Sequence, residues 1–135
     1  MPTVIIVTGP GNTSKTTSIK LAMGMIGINM LNVGDITLDM PIYNKAGSIN
    51  TGGIGFATGG DNAAILAANV RFFTGKALDC VVLACRSYGA TLSAAQAYAA
   101  SLGVTPVLIS TSRQPAGTYG AYATSIARQI YANIP

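Results

Sequence analysis

The stretch Gly9-Pro10-Gly11-Asn12-Thr13-Ser14-Lys15-Thr16-Thr17 sets glycines, a lysine and hydroxyl side chains between an apolar run, Val4-Ile5-Ile6-Val7, and an amphipathic segment, Ser18 to Ile26. These are residue types that suit a phosphate. Backbone N–H groups that converge on phosphate oxygens need small side chains beside them, as at Gly9 and Gly11. A helix that follows aims its free N–H groups and positive dipole end at the anion. Lys15 then serves as a point charge on the outer phosphates and Thr16 offers a hydroxyl to Mg²⁺. Against the pattern G-x-x-x-x-G-K-[ST], Gly9, Lys15 and Thr16 match, and Ser14 stands where the second Gly is expected. Two other readings use the same residues. One is an ordinary strand-to-helix turn, with Thr13 or Ser14 as N-cap and Lys15 solvated. The other is a dinucleotide fingerprint, Gly9-x-Gly11-x-x-Ser14 with Asp35 for a ribose, which leaves Lys15 and Thr16 without a task.

The elements that must position these residues follow from hydrophobic periodicity and its punctuation. Strands are expected at Val4–Val7, Asn32–Asp39, Cys80–Cys85 and Val104–Ser110, and helices over Ser18–Ile26, Ala63–Phe73, Thr91–Leu102 and Thr118–Asn133. Gly27, Gly75 and Gly103 mark helix ends, and Asp61 or Asn62 is a cap. The alternation predicts one α/β domain over residues 1–135, a three-layer sandwich with a mostly parallel central sheet. If all four strands are parallel, Lys15, Asp39, Arg86 and Arg113 share the sheet edge at which open α/β sheets bind ligands. Arg86 and Arg113 then suit charge stabilisation of a polyphosphate or of a neighbouring subunit's nucleotide; each also reads as a solvated loop residue. The Gly-rich span 44–61 is expected to be a mobile loop beside them, a switch segment, a flexible surface loop or an assembly contact.

Composition narrows the function classes. The chain has eight Lys or Arg and four Asp, with no Glu and no His, for a net charge of +4. A surface with so few charges must be built from small polar residues and Ala, which invites packing against copies of itself, so a homo-oligomer or filament is expected. The basic residues are dispersed, so charge alone is thin support for DNA as a partner. No apolar run approaches the roughly 18–20 residues that span a bilayer, and the N-terminus lacks a secretory leader, so a cytoplasmic protein is expected. Cys80 and Cys85 lie an odd number of residues apart on one strand, on opposite faces and about 16 Å from end to end, so they cannot pair.

The chain resembles the ParA/MinD-type P-loop ATPases, with plasmid partition and stability proteins as the nearest analogy. The resemblance rests on Gly9…Lys15-Thr16-Thr17, on Leu38-Asp39-Met40-Pro41 at the interval where that family carries D-x-D-P, and on Leu78-Asp79-Cys80-Val81-Val82-Leu83 in place of its Walker B strand. It covers the first 90 residues in pattern, and the last third only in α/β alternation. It implies a P-loop NTPase-like fold binding ATP and Mg²⁺. Gly9, Gly11, Asn12, Thr13, Ser14, Lys15, Thr16 and Thr17 would lie around the nucleotide, with Thr17 on the α-phosphate, and the sheet-edge reading adds Arg86 and Arg113 beside them. Lys15 and Asp39 would be catalytic, and Thr16 and Asp39 would face the metal. Pro10 stands where the family's signature lysine crosses a dimer, and Ala84 where its Walker B Asp lies. With those departures the resemblance implies a weak or degenerate Mg-ATPase whose self-association responds to nucleotide. The alternatives are a non-catalytic, self-assembling structural subunit of the same fold and a small phosphotransferase.

Overall fold

The computed structural model describes residues 1–11, 14–31 and 33–135. In chain order they form β1 (Thr3–Thr8), α1 (Lys15–Met25), β2 (Thr37–Met40), β3 (Tyr43–Lys45), β4 (Ser48–Asn50), β5 (Ile54–Ala57), α2 (Ala63–Phe73), β6 (Cys80–Cys85), α3 (Gly89–Ser101), β7 (Val107–Ser110) and α4 (Tyr119–Asn133). The central sheet has the order β2-β5-β6-β1-β7. Strands β5, β6, β1 and β7 are parallel, with Thr8 level with Cys85 and Ser110. The chain is α/β with a mostly parallel sheet, as its alternation predicts.

Alternating side chains divide the core into two layers. Ile5, Val7, Cys80, Val82 and Phe56 pack with Ile19, Met23, Ile126 and Ile130 of α1 and α4. Val4, Ile6, Val81, Leu83 and Cys85 pack on the other face with Leu66, Phe73, Tyr98 and Ala99 of α2 and α3. Continuous apolar strands are what a sheet covered on both faces requires. The two thiols are free and face opposite layers. Burial pushes the Cys80 thiol up to about 12 and that of Cys85 up to about 11, so both stay protonated.

Two expectations are corrected. First, β2 is shorter than Asn32–Asp39, and it runs antiparallel to β5, with Thr37 opposite Ala57 and Met40 opposite Ile54. The connection after α1 carries the chain back towards the start of that helix, where the buried Lys20 ammonium donates to Val33 O. The strand therefore starts beside the Gly9–Ser14 loop and runs away from it. Second, the span 44–61 is not one loop. It holds the β3–β4 hairpin and all of β5, whose four residues are buried. A β-carbon on Gly55 would overlap the Phe73 ring, which is why a glycine sits in the middle of this strand.

The hairpin forms its own two-stranded sheet and holds the end of α4. Tyr43 Oη donates to Pro135 O at 3.2 Å, Asn50 Nδ2 donates to the same oxygen at 3.4 Å, and Lys45 Nζ donates to Ile134 O. Lys45 also lies over the Tyr131 ring, 4.8 Å from its centre.

Gly60, just past β5, is fixed by backbone contact: a β-carbon there would overlap Ala84 O. Gly60→Ala is expected to destabilise the fold by about 2 kcal/mol or more, since backbone cannot step aside. Gly24→Ala, in α1 with open space around it, is expected to stabilise by about 0.5–1 kcal/mol. Urea unfolding of the two variants should show shifts of opposite sign.

Candidate functional site

The loop between β1 and α1 lies at the C-terminal ends of the four parallel strands, here called the loop pole. The segments after β5, β6 and β7 meet it there. Lys15 opens α1 and is only 6% exposed. Its ammonium donates to Gly9 O at 2.6 Å, to Pro10 O at 3.2 Å and to Asp61 Oδ1 at 2.8 Å. Arg86, which leaves β6, donates from Nε to Asp61 O at 2.9 Å, and its guanidinium borders Gly11. Arg113, which leaves β7, donates from Nε to Gly11 O at 3.4 Å. Its loop is held by Tyr122 Oη, which accepts from Ser112 N at 2.8 Å, and by Thr111, whose N–H donates to Thr8 O at 2.7 Å. Three cations from three strand ends therefore converge on one loop.

The first turn of α1 carries no acidic side chain, so nothing in it offsets the positive end of the helix dipole. Ser14 precedes it with φ 69° and ψ 17°, the left-handed conformation. Ser14 sits at the N-cap position, but its side chain makes no capping bond. Its hydroxyl and that of Ser18 are buried with no hydrogen-bond partner among the described residues. Gly9 and Gly11 are not among the glycines with positive φ. The conformation that favours glycine falls at Ser14, the position where the motif has its second Gly.

A second group of oxygens lies on the β2 side of α1. Thr16 Oγ1 is 3.1 Å from Asp35 Oδ1 and 3.2 Å from Thr58 O. Thr58 Oγ1 is 3.3 Å from the same carboxylate oxygen and accepts from Ile36 N at 2.9 Å. Behind them, the buried Asn69 of α2 donates to Gly59 O at 2.6 Å and accepts from Thr37 Oγ1 at 2.6 Å. This amide joins α2, the start of β2 and the turn after β5.

The structure thus brings together Gly9, Gly11, Ser14, Lys15, Thr16, Arg86 and Arg113. Thr17 lies exposed in the first turn of α1, and Asn12 and Thr13 lie outside the described residues. Asp39 is not part of the group. It stands opposite Gly55 near the other end of the sheet, with Lys76 Nζ 3.5 Å away, because β2 is antiparallel. The carboxylates that do reach the loop pole are Asp35, before β2, and Asp61, after β5. Neither role is plain from spacing, although Thr58-Gly59-Gly60-Asp61 followed by the cap Asn62 marks a strand-to-helix turn once β5 is recognised. Asn62 Oδ1 accepts from Ile65 N at 2.9 Å.

Ser14→Gly should stabilise the chain. It removes a left-handed non-glycine residue, a cost of about 1–2 kcal/mol, against roughly 0.5–1 kcal/mol of added chain entropy in the unfolded state. The melting temperature is expected to rise by about 3 °C. Ser14→Val, β-branched at the same φ, is expected to lower it, and thermal unfolding by circular dichroism checks both.

No family model matches the chain, and no curated protein or solved structure matches it; the geometry of the loop pole is what speaks for function.

Proposed function

We propose that the chain binds a nucleoside triphosphate with Mg²⁺ at the loop pole, as a P-loop protein of ParA-like type with weak ATPase activity at most. The observation that carries this reading is the burial of Lys15 at the N-terminus of α1, with Arg86 and Arg113 directed at the same loop. A solvated lysine in an ordinary turn needs no such convergence. Ser14 adds to it by taking the left-handed conformation at the second-glycine position without capping the helix.

In this reading Lys15 and the first-turn N–H groups of α1 hold phosphate oxygens, and the two arginines offset their charge. The hydroxyl of Thr16 and the carboxylate of Asp35, 3.1 Å apart with Thr58 O adjoining, form an all-oxygen donor set suited to a small hard cation. Asp35 therefore takes the place first expected for Asp39. Bound Mg²⁺ would neutralise part of the phosphate charge. Hydrolysis would transfer the terminal phosphoryl group to water, giving the diphosphate and inorganic phosphate. With neither His nor Glu in the chain, Asp35 and Asp61 are the acceptors near the loop for the proton of that water, and turnover is slow.

A second reading, a self-assembling subunit, is favoured by one observation at the opposite pole. Ile42 and Ile49 are 55% and 70% exposed there, beside a groove of about 280 Å³ that Ile26, Ile28 and Met40 also line. Such contiguous apolar surface marks an association site. If it does, the native chain has a mass above one chain by light scattering at high concentration, and Ile49→Asp lowers it. A native mass equal to one chain, with and without nucleotide, removes this reading. Assembly that responds to nucleotide belongs to the first reading, and assembly indifferent to it to the second.

Titration of fluorescent ATP with Mg²⁺ tests the leading proposal. Lys15→Ala is expected to weaken binding roughly 10- to 100-fold, the loss of a charged hydrogen bond worth about 1.5–3 kcal/mol. Asp35→Asn is expected to remove the dependence on Mg²⁺, while Asp39→Asn leaves binding as it is. A native chain that takes up no nucleotide at millimolar concentration overturns the proposal.

A further inference from the structure

We infer that Asp61 acts as an internal substitute for phosphate: its carboxylate occupies Lys15 while the site is empty, and a polyphosphate binds by displacing it. This rests on the polyphosphate reading of the loop pole.

The stoichiometry of the ammonium carries the inference. Lys15 has three N–H donors, and its three acceptors are Gly9 O, Pro10 O and Asp61 Oδ1. Any incoming anion must take a donor from one of them. The two carbonyls belong to the loop that holds the lysine, so releasing either means remodelling that loop. The Asp61 side chain is 52% exposed, so water receives its carboxylate at small cost. It is also the one anion of the three, and so the acceptor that competes with phosphate on like terms.

The main chain of Asp61, by contrast, is fixed. Its carbonyl is held by Arg86 Nε, Gly60 lies hard against Ala84, and Asn62 caps α2. Displacement is then a turn of one side chain, with α2 and the Arg86 contact kept. A threshold follows for the ligand. Exchanging a carboxylate for an anion of equal charge gains little, whereas the terminal group of a triphosphate brings more charge and further oxygens for Arg86 and Arg113. Asp61 thereby sets a common threshold that every anion must exceed, and a polyphosphate exceeds it by these further contacts.

The test is calorimetric titration of inorganic tripolyphosphate, and of inorganic phosphate, into the native chain, Asp61→Asn and Asp61→Ser. Both substitutions keep a neutral polar group at a half-exposed position. The expected result is tripolyphosphate affinity raised about tenfold in both variants, corresponding to about 1.4 kcal/mol. Phosphate, which must displace the same carboxylate, should gain by the same factor, so the ratio of the two affinities stays as in the native chain. Native binding of tripolyphosphate with equal or weaker binding in both variants overturns the role of Asp61 and leaves the polyphosphate reading standing. Absence of tripolyphosphate binding in all three proteins overturns the polyphosphate reading, and this inference with it.

Discussion

A buried ammonium must have its protons accepted, and the loop pole of this chain is arranged around that requirement at Lys15. Leaving such a group unpaired in the interior costs far more than one hydrogen bond contributes. Two acceptors come from the preceding loop, which curls the chain over the lysine, and the third comes from beyond β5, some 46 residues on. One side chain thus ties β1, α1 and the start of α2 together. The arginines extend the same logic, since each reaches the pole by donating to a main-chain carbonyl, Asp61 O for Arg86 and Gly11 O for Arg113. The two arginines are thus gathered through neutral acceptors, while Lys15 is paired with the Asp61 carboxylate.

The direction of β2 decides which carboxylates share that charge. Asp35 and Asp39 lie four residues apart, one before the strand and one within it, and only one of them can be near the loop. A parallel β2 would have delivered Asp39, and the antiparallel strand delivers Asp35. The antiparallel pairing of Thr37 with Ala57 and Met40 with Ile54 fixes that choice, and Lys20 contacts Val33 O in the connection that precedes β2. The β3–β4 hairpin then turns the chain at the far end and sends β5 back up, so Asp61 arrives at the pole as well.

Much of this was legible in the sequence where physical signals are strong. The β-branched runs of β1 and β6, the Gly-terminated helices and the cap at Asn62 stand out because burial on both faces and helix-end geometry demand those residues. That Lys15, Thr16, Arg86 and Arg113 lie near one loop was legible for the same reason, since each follows such an element. What was not legible depends on tertiary contact. Ile54-Gly55-Phe56-Ala57 lies in a glycine-rich stretch, and only the ring of Phe73 explains why a buried strand carries Gly55. The orientation of β2 is set by its pairing with β5, a strand that the glycine-rich stretch conceals. Ser14 departs from the sequence motif, yet it adopts the backbone conformation that suits the missing glycine.

The clasp between the hairpin and the end of α4 bears on the order in which the chain can fold. Tyr43 and Pro135 are 92 residues apart, and burial raises the Tyr43 phenol to about 12, keeping the proton that it donates. A two-stranded hairpin is marginal on its own, and closing so long a loop has an entropic cost that must be met before the contact gives anything back. The β3–β4 ribbon therefore gains this support only once the end of α4 is in place. Ile134 and Pro135 thus act as the keystone of the pole opposite the β1–α1 loop, where a hairpin with little stability of its own is locked by residues distant in sequence.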